Sequence, residues 1–440
     1  MAGARIDYRI KGSVPLRGSL RIPGDKSISH RALMLAAIAD GLTGISGFLD
    51  GADTVATMTA LQAMGVTVDR HGPHDLTVHG VGLHGLRPPA RPLDLGNSGT
   101  SVRLLSGLLA GQGFDCELTG DASLQRRPMR RVVDPLRLMQ AGIECSEAGT
   151  LPIRIRGGCH LTGITYNLPV ASAQLKSALL LAGLYASGRT CVIEPAATRD
   201  HTERMLGHFG VDLERSGQQV CLSSQALTAR DIEIPADISS AAFFLVAATI
   251  TPGSDLLLTS IGVNPTRHAV LEILQGMGAD ISLQQQRQIS GEPVADIRVR
   301  HQQLHGIDIP ERLVPIAIDE FPAILIAAAC AHGKTRLSGA SELRVKESDR
   351  IEAMASGLRQ LGIEVETHAD GMAVAGGQLT GGTVTSFTDH RIAMAFTVAG
   401  LAASGPVTVQ DCINVNTSFP GFLDLLRQLG CDTSSTECKV

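Results

Sequence analysis

The sequence predicts an α/β protein of six repeated units, each with two helices and three or four strands, divided three plus three between two domains. Three observations lead there. A leucine-x-x-x-glycine signature recurs six times, an alanine- and leucine-rich helix lies upstream of each copy, and 440 residues are too many for one ordinary core.

The glycine signature reads "LQAMGV", "LMQAGI", "LGHFGV", "LQGMGA", "LRQLGI" and "LRQLGC". It ends on Gly65, Gly142, Gly210, Gly278, Gly362 and Gly430, with separations of 77, 68, 68, 84 and 68 residues. Glycine tolerates the left-handed conformation that closes a helix, so each is expected to end one. Alternating stretches such as "VTVDRH" and "IEVETHADGMAVAG" follow and read as hairpins. The upstream helices are "SHRALMLAAIADG", "SVRLLSGLLAGQG", "AQLKSALLLAGLYASG", "SSAAFFLVAATITPG", "FPAILIAAACAHG" and "HRIAMAFTVAGLAASG", and all six close on glycine. The leading segment "YRIKGSVPLRGSLRIPGDKS" reads as strands and is expected to cross back into the second domain. The domains are therefore drawn as 24–235, and 1–23 with 236–440, with hinges near Pro23–Gly24 and Pro235–Ala236.

Charged residues make up 18% of the chain and aromatics 3%, without tryptophan, so the cores are expected to use small aliphatic side chains. A net charge of −5 excludes an overall electrostatic footprint for nucleic acid or anionic membrane. Nine cysteines, an odd number without a C-x-x-C pair, read as reduced thiols of a reducing cytoplasm. The N-terminus lacks the apolar core of a secretory signal, and runs such as "AAFFLVAATI" are too short for a bilayer, so a soluble cytoplasmic protein is expected. His71, His74 and His79 fall in a polar hairpin and read as a solvated loop, not a metal site.

Function is carried by the helix starts. The upstream helices begin in "GDKSIS", "LGNSGTS", "VASAQ", "ADISS", "AIDEFP" and "FTDHR". Exposed N–H groups and the helix dipole make such starts ready anion sites. Threefold pseudo-symmetry in each domain points three of them at one face, and two such faces are expected to enclose an anionic ligand. Cations cluster beside them: Lys26 and Arg31; Arg126, Arg127, Arg130 and Arg131; Arg344, Lys346 and Arg350; Arg391. Arginine's planar fork suits carboxylate and phosphate. Singly, each has an ordinary reading: "RVKESDR" as a solvated helix face, the arginine run as a surface patch, "LGNSGTS" as a polar turn outside the usual phosphate-loop pattern. Their coincidence at equivalent repeat positions points to one or two ligands carrying several phosphates or carboxylates.

In order and spacing, "PGDKSISHRAL", "LGNSGTSVRLL", "GDASLQRRPM", "ASAQLKSALLLAGL", "DEFP", "RVKESDRI" and "DHRIAMA" resemble the motifs of the 5-enolpyruvylshikimate-3-phosphate synthase (3-phosphoshikimate 1-carboxyvinyltransferase) family over essentially the whole chain. The resemblance implies two domains of three βαβαββ-like units, an inside-out α/β barrel of the enolpyruvyl transferase type, closing over the substrates. It implies transfer of the enolpyruvyl group of phosphoenolpyruvate to the 5-hydroxyl of shikimate 3-phosphate, with no metal or organic cofactor, no nucleic-acid or membrane partner, and a monomer. For shikimate 3-phosphate it implies Lys26, Ser27, Arg31, Ser172, Ala173, Gln174, Arg199, Asp319 and Lys346. For phosphoenolpyruvate it implies Lys26, Gly99, Arg127, Gln174, Glu347, Arg350 and Arg391. Asp319, Glu347 and Lys26 take the proton-transfer roles, Asp319 accepting and Glu347 donating.

Departures from one large subgroup matter. "NTSFP" places Thr417 where that subgroup has lysine, "SAQ" replaces its second serine, and "SELRVKES" lacks its asparagine. These features look like the second subgroup, which includes glyphosate-tolerant enzymes, while Gly99 remains glycine. The related transferase acting on UDP-N-acetylglucosamine has a reactive cysteine where this chain has Ala122, and lacks the R-V-K-E-S-D-R box. A non-catalytic anion-binding protein is disfavoured by the joint presence of Lys26, Asp319 and Glu347.

Overall fold

The computed structural model describes residues 5–12 and 14–438 and alternates two kinds of helix. The buried kind comprises α1 (Lys26–Ile38), α3 (Gly99–Ala110), α5 (Ala173–Gly183), α7 (Ile238–Ile250), α9 (Phe321–Ala329) and α11 (His390–Ala402). The half-buried kind comprises α2 (Ala52–Ala63), α4 (Arg130–Leu138), α6 (His201–His208), α8 (Ala269–Gly276), α10 (Arg350–Gln360) and α13 (Phe422–Gln428), with the short α12 (Val415–Ser418) before the last. Helices apolar on every side belong inside, and all 13 residues of α7 are buried. Small residues let such helices approach closely. A Cβ at Gly107 of α3 would lie 2.0 Å from the Ala178 carbonyl oxygen of α5.

The strands form six separate sheets, one per repeat, so among the described residues the expected barrel contains no closed sheet. Each buried helix runs into a strand with an antiparallel neighbour on one side and, except after α9, a parallel strand on the other. Cys116–Thr119 after α3, for instance, pairs in parallel with Leu93–Asp94 and antiparallel with Ile153–Arg156, which pairs with Gly142–Glu144. The sheet after α9 replaces its parallel strand by single bridges, Asp308 to Arg336 and His305 to His332. Strands from the N-terminal segment complete two sheets: Arg5–Ile10 lies between Val407–Gln410 and Thr433–Cys438, and Arg17–Arg21 runs parallel to Asp255–Gly262. Likewise Leu227–Thr228 and Ile232–Glu233 return to flank Ala39–Ser46.

Two compact units result. One is Gly24–Pro235 with Gln288–Glu292; the other contains the segment ending at Pro23, Ala236–Arg287 and the chain from Pro293 onward. The turn at 288–292 thus groups with the first unit, where Glu292 meets buried His201 at 2.7 Å. Each unit has its own hydrophobic core.

The helix ends hold one correction. Gly65, Gly210, Gly278, Gly362 and Gly430 have φ of 91°, 87°, 95°, 84° and 88°, but Gly142 does not take the left-handed role; Gln140 does, at φ 68°. α4 turns Val132, Val133 and Leu136 inward and leaves Leu138 62% exposed. Leu136, not Leu138, is therefore the equivalent of Leu61: its carbonyl accepts from Ala141 N at 3.1 Å, as that of Leu61 accepts from Val66 N at 3.2 Å. A second correction concerns the cysteines. Cys191 and Cys221 face each other across an antiparallel pair, with Cα atoms 4.1 Å apart, and are disulfide-bonded. Their 30-residue separation hides that register from the sequence. No helix among the described residues is long and apolar enough to cross a membrane.

Candidate active site

Caps set the polar ends of the buried helices. Asp25, Ser98, Ser172, Asp237 and Asp389 accept from first-turn N–H groups of α1, α3, α5, α7 and α11 at 2.9, 3.2, 3.3, 2.9 and 2.9 Å. α9 begins without a side-chain cap, at Glu320, and carries Pro322 in its first turn.

In the unit of Gly24–Pro235, Lys26 opens α1 and its ammonium pairs with Asp53 in the first turn of α2. Arg31, farther along α1 and 4% exposed, rests on three neutral oxygens. It donates to Thr202 Oγ1 at 2.7 Å, Ser177 Oγ at 2.8 Å and the Ser27 carbonyl at 2.9 Å. Gly99 opens α3, where a Cβ would lie 2.8 Å from Arg103 Nη1 and 3.0 Å from Arg127 Nη1, so both guanidiniums lie over that first turn. Arg127 donates to Asn97 Oδ1, and Asn97 in turn donates to Asp121 at 2.9 Å. Gln174, beside the cap Ser172 and the first helical residue Ala173, accepts from Arg103 at 2.9 Å and donates to Thr100 at 3.0 Å. Arg199 is half-buried in the loop before α6. Of the other arginines in that run, Arg126 is exposed and Arg130 donates to the Glu147 carbonyl at 2.8 Å.

Behind Lys26, His30 is fully buried, with Nδ1 2.8 Å from Thr57 Oγ1. Burial pushes its pKa well below the usual imidazole value; the charges of Lys26 and Arg31 add to this, and Asp25 opposes them. His30 is therefore a neutral hydrogen-bonding group. His79 finds a carboxylate that the sequence reading did not give it, Asp69 at 2.7 Å, yet among the described residues no group of three side chains is placed to hold a metal.

In the other unit the charged stretch after strand Lys334–Leu337 folds around Arg350, which is 1% exposed. Its Nε donates to Asp389 at 2.8 Å, Nη1 approaches Asp319 at 3.5 Å and Nη2 donates to Glu347 at 2.5 Å. Burial alone would lower the guanidinium pKa, but Asp389, Glu347 and Asp319 outweigh it and raise the pKa further. Lys346 lies 3.5 Å from Asp319 and 3.3 Å from Glu342. Arg391, in the first turn of α11, donates to the Asp319 carbonyl at 2.8 Å. Four motif residues, Asp319, Lys346, Glu347 and Arg350, thus meet, with Arg391 on the backbone of the first.

The remaining charges of the stretch are structural. Arg344 donates to the carbonyls of Ala369 and His368 and to Asp349 at 2.7 Å, while Asp349 caps α10. The loop entering α11 is strained: Phe387 and the β-branched Thr388 have φ of 54° and 58°. Such conformations persist where surroundings over-determine them, and here they deliver Asp389 and Arg391.

Several residues of these clusters escape a sequence reading. Asp53 looks like an ordinary first-turn acid of α2, and Arg103 like a helix-face charge. Asp389 had a signal, its place in the quoted "DHR", but its partner Arg350 is 39 residues away.

A family model described as EPSP synthase (3-phosphoshikimate 1-carboxyvinyltransferase) matches residues 10–426. The 3-phosphoshikimate 1-carboxyvinyltransferase of Methylococcus capsulatus is 61% identical over 418 residues, covering 95% of this chain and 96% of the relative. That of Alkalilimnicola ehrlichii is also 61% identical, covering 97% and 96%. Among solved structures, an EPSP synthase from Acinetobacter baumannii superposes with a TM-score of 0.90 at 50% identity, covering 98% of this chain and 100% of that one. The enolpyruvyl transferase NikO of Streptomyces tendae, at 18% identity and a TM-score of 0.80, shares the fold. The motif residues collected on each unit and these full-length matches agree: the chain belongs to the EPSP synthase (3-phosphoshikimate 1-carboxyvinyltransferase) family.

Proposed function

We propose that these two clusters perform the transfer of the enolpyruvyl group of phosphoenolpyruvate to the 5-hydroxyl of shikimate 3-phosphate, with release of phosphate. Addition requires a proton delivered to the methylene carbon of phosphoenolpyruvate while another leaves the attacking hydroxyl. Elimination then removes a proton from that carbon and expels phosphate. An acid and a base are needed on different groups, and positioned ones contribute typically about 10²- to 10⁴-fold each.

The observation that carries the reading is that one buried arginine, Arg350, holds two of its three carboxyl partners, Asp319 and Glu347, on separate terminal nitrogens, with Lys346 beside the first. Glu347 serves as the proton donor and Asp319 as the acceptor. Lys346 and the Asp319 carboxylate bind the shikimate ring. Arg391 and Arg350 grip phosphoenolpyruvate, which for Arg350 requires Glu347 to release its Nη2. On the other unit, Arg31, Ser27, Ser172, Ala173 and Arg199 take shikimate 3-phosphate, Gly99 and Arg127 take phosphoenolpyruvate, and Lys26 and Gln174 face both. The arginines offset developing charge without exchanging protons.

Phosphate release should require shikimate 3-phosphate and phosphoenolpyruvate together. Equal turnover with UDP-N-acetylglucosamine and none with shikimate 3-phosphate would sink the assignment. The chain is read as a cytoplasmic monomer of the second subgroup, working without a cofactor. The subgroup reading rests on "SAQ", on "SELRVKES" and on Thr417, whose hydroxyl donates to the Asn414 carbonyl at 2.7 Å and supplies no cation.

A further inference from the structure

The unit of Gly24–Pro235 holds a charged cluster that the reaction does not use directly. Lys176, in α5, is fully buried, and its ammonium lies 2.8 Å from Glu194 and 2.7 Å from Glu203. An ammonium taken out of water is costly unless carboxylates enclose it, and an apolar side chain would avoid that cost at this buried position. The two glutamates stand at opposite ends of one span. Glu194 follows the strand Arg189–Ile193 and also accepts from Thr198, while Glu203 lies in the first turn of α6 and pairs with Arg215 at 3.0 Å. The next residue of α5, Ser177, meets Thr202 at 2.7 Å, and Thr202 accepts from Arg31 at 2.7 Å. Successive residues of α5 therefore hold the first turn of α6, one by charge and one by hydroxyl, and Arg199 lies on the span between the glutamates.

We propose that Lys176, bridging Glu194 and Glu203, is a positioning residue for the phosphate of shikimate 3-phosphate. It pins residues 194–203 at both ends and so places Arg199 and the Thr202 hydroxyl on which Arg31 rests. The inference depends on the reading of Arg31 and Arg199 as ligands of that phosphate. On this unit phosphoenolpyruvate draws on Gly99, Arg127, Lys26 and Gln174, none of which lies on the span 194–203, so loosening the span affects one substrate selectively.

Steady-state kinetics of Lys176→Met, Lys176→Arg and Glu203→Gln test this with each substrate varied in turn. Lys176→Met leaves two buried glutamates facing each other, so Glu203→Gln, which keeps the Lys176–Glu194 pair, is the informative companion if the former does not fold. In Glu203→Gln, and in Lys176→Met if it folds, the KM for shikimate 3-phosphate is expected to rise at least about tenfold, a modest loss for a misplaced binding group. The KM for phosphoenolpyruvate stays within about twofold, and Lys176→Arg recovers most of the loss because it restores the cation. A merely structural cluster would lower the melting temperature without splitting the two constants. Absence of turnover by the unmodified protein with shikimate 3-phosphate sinks the functional reading and this inference together. Normal turnover with an unchanged shikimate 3-phosphate KM in folded Glu203→Gln sinks the inference alone.

Discussion

Arg350 and His30 show the same rule with opposite outcomes: a buried ionisable side chain keeps its charge only where charges of opposite sign surround it. Arg350, with Asp389, Glu347 and Asp319 around it, stays a cation at every accessible pH. Replacing Glu347 by glutamine leaves two of those three carboxylates in place, so the cluster should fold and bind both substrates while the acid is lost. Turnover is expected to fall at least about tenfold, a floor set below the roughly 10²- to 10⁴-fold that a positioned general acid contributes. Unchanged turnover in a steady-state assay removes Glu347 from the proton path. His30 is enclosed by hydroxyls and neighbouring cations and stays neutral. Its folded pKa lies below that of the unfolded chain, so below about pH 6.5 the unfolded chain binds the extra proton and stability rises with pH. As pH falls through that range the native state loses up to about 1.4 kcal/mol per unit from this group. His30→Asn, which retains a polar partner for Thr57, should flatten that slope in urea unfolding at pH 5.5 to 7.5, and an unaltered slope would refute the assignment.

At the scale of the element, the chain's own punctuation explains what the sequence disclosed and what it hid. The six buried helices, the capped starts of five of them and five of the six glycine ends follow from local composition, and so were legible. The end of α4 departs from the pattern because its signature is displaced: the core-facing Leu136 lies two residues before the leucine that fits the motif. Gln140 then takes φ 68° where the other repeats use glycine. A side chain in that conformation costs on the order of 1 kcal/mol. Gln140→Gly should relieve it and raise stability by about 0.5–1 kcal/mol in chemical denaturation, less than the full strain because glycine also loosens the unfolded chain. A decrease would mean that the glutamine side chain contributes more than its backbone costs. The clusters divide in the same way. Residues within one motif, such as Lys346, Glu347 and Arg350, were visible together, whereas Lys26 with Asp53, and Lys176 with Glu194 and Glu203, meet only through folding.

At the scale of the whole molecule, the order of the chain makes the two units unequal in independence. The unit of Gly24–Pro235 closes on itself, its last strands Leu227–Thr228 and Ile232–Glu233 returning to Ala39–Ser46, and it borrows only the turn at 288–292. The other unit depends on the N-terminal segment, whose strand Arg5–Ile10 pairs on both sides and whose Ile10, Leu16, Leu20 and Ile22 are at most 3% exposed. Each such side chain contributes about 1.5–3 kcal/mol by burial, so their joint loss rivals the roughly 5–15 kcal/mol that holds a domain together. Residues 24–235 as a separate polypeptide should therefore unfold cooperatively, although His201 has lost Glu292. Shikimate 3-phosphate should raise the melting temperature of this fragment, since Arg31 and Arg199 travel with it and a ligand bound only by the native state stabilises that state. Residues 236–440 alone should lack a cooperative transition by circular dichroism and regain one when 1–23 is joined back. Cooperative folding of 236–440 by itself would show that the N-terminal strands decorate the second unit instead of completing it.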